Sequence, residues 1–136
     1  MKLLNLLKRD ERGAAVIEMA IILPVLILFI YGIFQVGILY QANAGMQHAL
    51  GQGARFATLC LSPDPCENPT PAQVKTVIEN SVFGTKPGTF TVPTPTVSSG
   101  VMTITVNYTQ PTNFIFFPGP TVVTSQSKLV FLAPTT

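Results

Sequence analysis

The residues of this chain with the clearest chemical consequence are one carboxylate and the charged segment before it. Glu18 stands at the start of an apolar run, and residues 19–54 contain no Asp, Glu, Lys or Arg. Upstream, residues 8–12 are all charged, and Gly13 follows them directly. A carboxylate at the entrance of a membrane-sized apolar segment is costly. The presence of Glu18 therefore requires an explanation, and its position five residues after Gly13 is the feature that the explanation must include.

The apolar run that positions Glu18 is long enough to cross a membrane. A bilayer core requires about 20 predominantly apolar residues, and residues 19–40 supply them. Basic residues flank this span only on its N-terminal side, which predicts a cytoplasmic N-terminus and export of everything after Tyr40. Pro24 lies inside the span, removes one backbone hydrogen bond and predicts a kink near the start of the helix.

Charge is scarce and unevenly distributed. Charged residues make up 10% of the chain, against roughly 25% in a typical soluble domain. From Ala14 onward four basic residues balance four acidic ones, so that part is formally neutral: Arg55, Lys75, Lys86 and Lys128 against Glu18, Asp64, Glu67 and Glu79. The basic character therefore resides in the first 13 residues. Since no basic stripe follows them, we predict no nucleic-acid binding.

The pattern of elements predicts an α+β fold shaped like a lollipop. Residues 1–13 form a cleavable basic leader, and residues 14–61 form one spine helix about 70 Å long at 1.5 Å per residue. Its transmembrane part covers residues 19–40, and residues 41–61 form an amphipathic exported half. The apolar stripe of that half recurs at three- and four-residue spacing: Ala42, Met46, Ala49, Gly53, Phe56 and Cys60.

Residues 62–136 predict an exported domain that covers this stripe. A proline-rich loop is followed by a short helix over residues 72–82, begun by Thr70 and Pro71. Residues 89–97 are broken by prolines and predict an edge strand at best. Residues 101–108 alternate cleanly, with apolar side chains at even positions, and residues 122–132 form the last strand of a C-terminal antiparallel hairpin.

Three segments of the spine resemble a known family, the TadE-like pseudopilins of the tight-adherence (Tad or Flp) type IV pilus system. They are RGAAVIEMAIILPVL at residues 12–26, GIFQVG at 32–37 and HALGQGARFA at 48–57. The spacing from Gly13 to Glu18 is shared by all type IV pilins, whereas the combination of the three segments is more specific to this group. The resemblance covers residues 9–60 in detail, and the C-terminal hairpin resembles the family only in style.

The resemblance implies a mechanism of processing and assembly. A prepilin peptidase would cut after Gly13 on the cytoplasmic face and leave Ala14 as the new N-terminus. Glu18 would then pair with the terminal amine of a neighbouring subunit. Major Flp pilins usually carry Tyr after this glutamate and little domain beyond the helix, so Met19 and the large exported part favour a minor subunit. The implied partners are other pilins, the peptidase, the inner-membrane assembly platform and the lipid bilayer.

Two alternatives remain open from the residues alone. In the first, the chain is a single-pass anchor for an exported binding domain, is never processed, and Glu18 is an ordinary interfacial acid. In the second, a signal peptidase cuts after Ala44, since residues 42–44 match the small-x-small rule, and a small domain is secreted. The apolar run is longer than the 7–15 residues usual in a signal peptide, which disfavours the second alternative.

The remaining chemistry-bearing residues lie on the exported side. Cys60 and Cys66 are separated by five residues, and an oxidising compartment predicts a disulfide between them. Phe114, Ile115, Phe116 and Phe117 form a candidate contact for a neighbouring subunit, although folding back over the spine helix is the favoured alternative. The chain has one histidine and no catalytic constellation or phosphate loop, so we predict no enzyme, cofactor, metal site or small-molecule substrate.

Overall fold

The computed structural model describes residues 11–62, 66–84, 86–113 and 118–133. Within these ranges it contains two helices, α1 (Glu11–Ala57) and α2 (Pro71–Ser81). Four strands follow: β1 (Thr89–Thr91), β2 (Thr96–Ser98), β3 (Val101–Asn113) and β4 (Pro118–Phe131). The long apolar helix, short helix and antiparallel sheet confirm the predicted α+β, pilin-like layout.

Helix α1 is a single element of 47 residues that continues through Pro24. It ends at Ala57 rather than near residue 61, because the backbone tightens after Phe56. The Leu59 amide donates to the Phe56 carbonyl, and the Thr58 hydroxyl donates to the Arg55 carbonyl. Leu61 then donates its amide to the Glu67 carbonyl, which ties the segment after the helix to the following loop.

Helix α2 begins at a capping box that the sequence signals at Thr70 and Pro71. The Gln73 amide donates to the Thr70 hydroxyl, and the Thr70 amide donates to the Gln73 side chain. These two bonds satisfy backbone donors that the first helical turn leaves unpaired. Val74 and Ile78 lie four residues apart on one face of the helix and are fully buried, so this face packs against the core.

The sheet is built around β3, which pairs with all three other strands in antiparallel fashion. Strands β1 and β2 lie along one edge of β3, and β4 covers the other edge over nearly its whole length. The expected edge strand at residues 89–97 is two short strands, because Pro93 and Pro95 between them cannot donate a ladder hydrogen bond. The tight turn before β3 uses left-handed backbone at Ser99 (φ 51°) and Gly100 (φ 76°).

The core lies between the C-terminal half of α1, helix α2 and one face of the sheet. The even-numbered residues of β3 from Met102 to Tyr108 are fully buried in it, as the alternation predicts, and Gln110 continues the same buried face. From α1, the stripe residues Ala42, Met46 and Ala49 are buried against them. Strand β3 extends five residues past Tyr108 and β4 begins at Pro118, so the hairpin is longer than predicted.

Candidate processing and assembly site

The residues singled out for processing and assembly lie in the first two turns of α1. Gly13, Ala14 and Glu18 are all exposed, and no atom would lie within 4 Å of a side chain added at Gly13. Ala14 and Glu18 are four residues apart, so they share one face of the helix about 6 Å apart along its axis. Among the described residues, the one salt bridge joins Lys75 to Glu79, and the Glu18 side chain is exposed.

The half of α1 that carries Glu18 presents apolar side chains on every side. Its most apolar window has a mean hydropathy of 2.6 and no buried residue, so this half is not the core helix of a soluble domain. Phe29, Phe34 and Val16 illustrate the point, with exposed fractions of 67%, 71% and 69%. A helix that is apolar all round requires apolar surroundings, and by length and composition this one can cross a membrane. Pro24 lies inside this half without ending the helix, and its kink stays a prediction.

The other half of α1 docks into the exported domain through two glycines. A side-chain carbon at Gly45 would overlap the backbone carbonyl of Phe83, and one at Gly53 would overlap the side chain of Ile78. Both are therefore places where another segment approaches the helix backbone closely. At Gly51, Gly32 and Gly37 no described atom lies within 4 Å of the position that an added side-chain carbon would take.

A polar contact between α1 and the sheet was not predicted. The Tyr108 hydroxyl donates to Gln110 (3.4 Å), the Gln110 amide donates to Gln35 (2.8 Å), and the Gln35 amide donates to Tyr31 (2.9 Å). Gln110 has no exposed surface, so these bonds satisfy a buried amide. Extending the inward alternation of β3 one step past Tyr108 would have placed Gln110 inside. Gln35, a polar residue within the apolar run, was the second signal.

The sulfur atoms of Cys60 and Cys66 lie at bonding distance, and their Cα atoms are 5.1 Å apart. That separation is within the normal range for disulfides, so the pair is capable of forming one. The bond would close the loop directly after α1, where Leu61 already pairs with Glu67. The candidate contact at Phe114, Ile115, Phe116 and Phe117 lies outside the described residues.

An exposed apolar helix half that continues into a packed amphipathic half under a small α+β domain is the layout of pilin-like proteins. The model of the family described as "TadE-like protein" matches residues 13–55. The match begins at Gly13 and ends two residues before the end of α1, which confirms the resemblance over the spine and is consistent with a TadE-like protein of the Tad pilus system. No curated protein and no solved structure matches the chain.

Proposed function

We propose that this chain is a minor pilin-like subunit of a Tad pilus, anchored by α1, cut after Gly13 and assembled through Glu18. The observation that carries the proposal is the arrangement of Gly13, Ala14 and Glu18 in the first two exposed turns of an apolar helix. The family match over residues 13–55 supports the same assignment. The N-terminus would be cytoplasmic and the domain exported, since the basic residues precede the span.

Cleavage after Gly13 requires local unfolding of the helix, because the Gly13–Ala14 peptide bond lies within α1. Glycine lowers helix stability by about 1 kcal/mol relative to alanine. Gly13 therefore makes the bond easier to extend into a peptidase site, and its missing side chain leaves room for the enzyme.

Cleavage would also create a positive charge that can pair with the Glu18 carboxylate. An uncut chain has an uncharged amide at Ala14, whereas the cut chain has a terminal ammonium group there. In apolar surroundings a carboxylate is stabilised strongly by such a cation, and leaving it unpaired is costly. The ammonium of one subunit and Glu18 of the next would then set the axial offset between neighbouring spines.

Three variants test the proposal in cells that carry the complete pilus system. Gly13→Ala should leave the chain uncut, whereas Gly51→Ala, also a helix glycine with free space around it, should be cut normally. Glu18→Gln keeps the shape of the side chain and removes its charge, so it should be cut but be depleted from sheared pili. Mass spectrometry of the N-terminus measures cleavage, and immunoblotting of pilus fractions measures incorporation into pili.

The same N-terminal measurement separates the alternatives. A chain that begins at Met1 in mature membranes would contradict processing and favour a plain anchor. A chain that begins at Gly45 would indicate secretion after Ala44. The packing disfavours that cut, because Ala42 and Met46 on either side of it are 1% and 0% exposed within the domain core.

A further inference from the structure

A groove of about 580 Å³ lies between helix α2 and strand β1. Lys75 and Glu79 on α2 and Val82 at its C-terminal cap form one wall, and residues 88–92 form the other. Lys86 also lines the groove and lies in the connection from α2 to β1. The strand wall is about 13 Å long and the helix wall about 10 Å long, so the groove extends along both elements.

The strand wall is the backbone edge of β1 rather than one of its faces. Successive side chains of a strand point to opposite faces, so a groove over one face would be lined by every second residue. Here the consecutive residues 88–92 all line the groove. Within the described part of the chain β1 pairs with β3 alone, and its other edge has no strand partner. Such an edge presents backbone N–H and C=O groups to which an extended peptide can add as a further strand.

The strand wall is held in place from behind by the core. Val92 is 6% exposed, and the ring of Phe90 lies 4.7 Å from the ring of Tyr108. Gly88 also lies against the Tyr108 ring, because a side-chain carbon added there would overlap it. A binding edge that is already fixed loses little conformational freedom when a partner adds to it. The groove is therefore a preformed site with apolar support and polar walls.

The charges on the groove favour an acidic partner. Its ionisable residues are two lysines and one glutamate, which leaves a net charge of +1. Lys75 and Glu79 form a salt bridge at 3.8 Å, so their charges match each other. Lys86 is exposed, and no second salt bridge joins the residues that the structure describes. A carboxylate on the partner would complement the Lys86 ammonium.

A second copy of the chain does not offer a strand of this kind. Strands β1 to β4 contain no Asp or Glu. The long outer edge of a second copy is that of β4, and it carries Lys128. Like charges on neighbouring strands are destabilising, so Lys128 would be unfavourable beside the lysines of the groove. Charge complementarity therefore favours a different protein.

We propose that the groove between α2 and β1 binds an extended segment of another protein, which adds to the free edge of β1 and places an Asp or Glu side chain at Lys86. The added strand is short, because the groove is about 13 Å long and Pro93, directly after it, has no backbone N–H. Backbone hydrogen bonds give the affinity of such a site, and side-chain contacts give its specificity. The inference does not depend on cleavage after Gly13 or on charge pairing at Glu18.

Selection of random heptapeptides displayed on phage, with full-length protein in phosphatidylcholine nanodiscs as the bait, tests the kind of partner. We expect enrichment of strand-forming sequences that contain an acidic residue. No enrichment over empty nanodiscs, or enrichment of sequences without an acid, would overturn the proposal.

The contact at Lys86 is tested with a fluorescein-labelled copy of the most enriched peptide, whose Kd is measured by fluorescence anisotropy. Lys86→Gln should raise Kd several-fold. Lys128→Gln removes the same charge from an exposed lysine outside the groove and should leave Kd unchanged. Replacing the acid of the peptide by its amide should raise Kd by a similar factor for the wild type and have no further effect on Lys86→Gln. Additive losses would place the acid elsewhere and overturn the assignment.

Amide hydrogen exchange followed by nuclear magnetic resonance tests the strand addition. The peptide should slow exchange several-fold within Thr89–Thr91 and leave Thr96–Ser98, the other short strand beside β3, unchanged. Equal effects on both strands, or none, would overturn the addition at β1. Slowing at β1 without peptide would also overturn the proposal: dependence on protein concentration would indicate a second copy, and dependence on added phosphatidylglycerol would indicate lipid headgroups.

Discussion

Gly45 and Gly51 lie on the same helix and predict opposite effects of the same substitution. At Gly45 the backbone of Phe83 occupies the space that an alanine side chain would need, whereas at Gly51 nothing described lies within 4 Å. Neither glycine has a positive φ, so the helical backbone accepts alanine at both positions. The difference between the two variants therefore measures the close approach at Gly45 alone.

The magnitudes follow from two competing terms. Alanine in place of glycine stabilises a helix interior by about 1 kcal/mol, and at Gly51 that gain stands alone. At Gly45 the new methyl group overlaps a backbone oxygen, which cannot rotate away as a side chain can. Overpacking costs about 1–3 kcal/mol or more, and separation of residues 82–84 from α1 adds to it. We expect Gly45→Ala to lower the free energy of unfolding by about 1–2 kcal/mol.

Thermal unfolding of the full chain in detergent micelles, followed by near-ultraviolet circular dichroism, measures both effects. For a domain of this size, 1 kcal/mol corresponds to about 4–8 °C in Tm. Gly51→Ala should raise Tm by about that amount, and Gly45→Ala should lower it by about 4–16 °C. If both variants raise Tm equally, helix α1 does not pack against Phe83 as described.

Three further predictions address the polar contact, the cysteine pair and pH. Gln35→Leu should lower the free energy of unfolding by about 1–3 kcal/mol because it leaves the buried amide of Gln110 without a partner, and adding Gln110→Leu should recover most of that loss. If the effects of the two single substitutions simply add in the double variant, the contact is refuted. Reduction of Cys60 and Cys66 should cost about 2 kcal/mol or less, seen as a lower Tm with reductant that a Cys60→Ser, Cys66→Ser variant does not show. Burial raises the pKa of Tyr108 above 10.0, and a smaller hydrogen-bond effect of Gly88 lowers it. The stability that the neutral phenol contributes should therefore be fully present below pH 10 and be lost as the pH rises above it. In melts measured as a function of pH, Tyr108→Phe should reduce that alkaline loss of stability.

Local patterns predicted the elements whose environment is set by their own periodicity. The stripe of α1 from Ala42 to Gly53 is buried, and the even positions of β3 from Met102 to Tyr108 are all buried. In both cases one face of a helix or strand packs against one continuous core, so the spacing of the apolar residues predicts directly which side chains are buried. The capping box at Thr70 was similarly readable, because it involves neighbours in sequence.

Features that depend on contacts between distant segments were not predictable in this way. Gln35 and Gln110 are 75 residues apart, and only the packed sheet brings their side chains together. The additional length of the hairpin likewise comes from pairing between strands, as of Gln110 with Val122 and Asn113 with Pro118, which the pattern of one strand does not report. The C-terminus of α1 was predicted too late because a helix end set by Thr58 and Leu59 carries a weaker sequence signal than the prolines that follow.

The exposed half of α1 bears on how such a subunit would leave the membrane. Because its most apolar window has no buried residue, extraction removes lipid contacts from all faces at once, and apolar burial is worth about 25 cal/mol per Å². Only other apolar surfaces of comparable length, such as neighbouring spines, replace that contact. Under the proposed function, charge pairing at Glu18 would then select one axial offset among the many that apolar contact alone would permit. A trimmed subunit with Glu18→Gln should therefore stay in the membrane, and its appearance in pili at normal abundance would refute this role of the carboxylate.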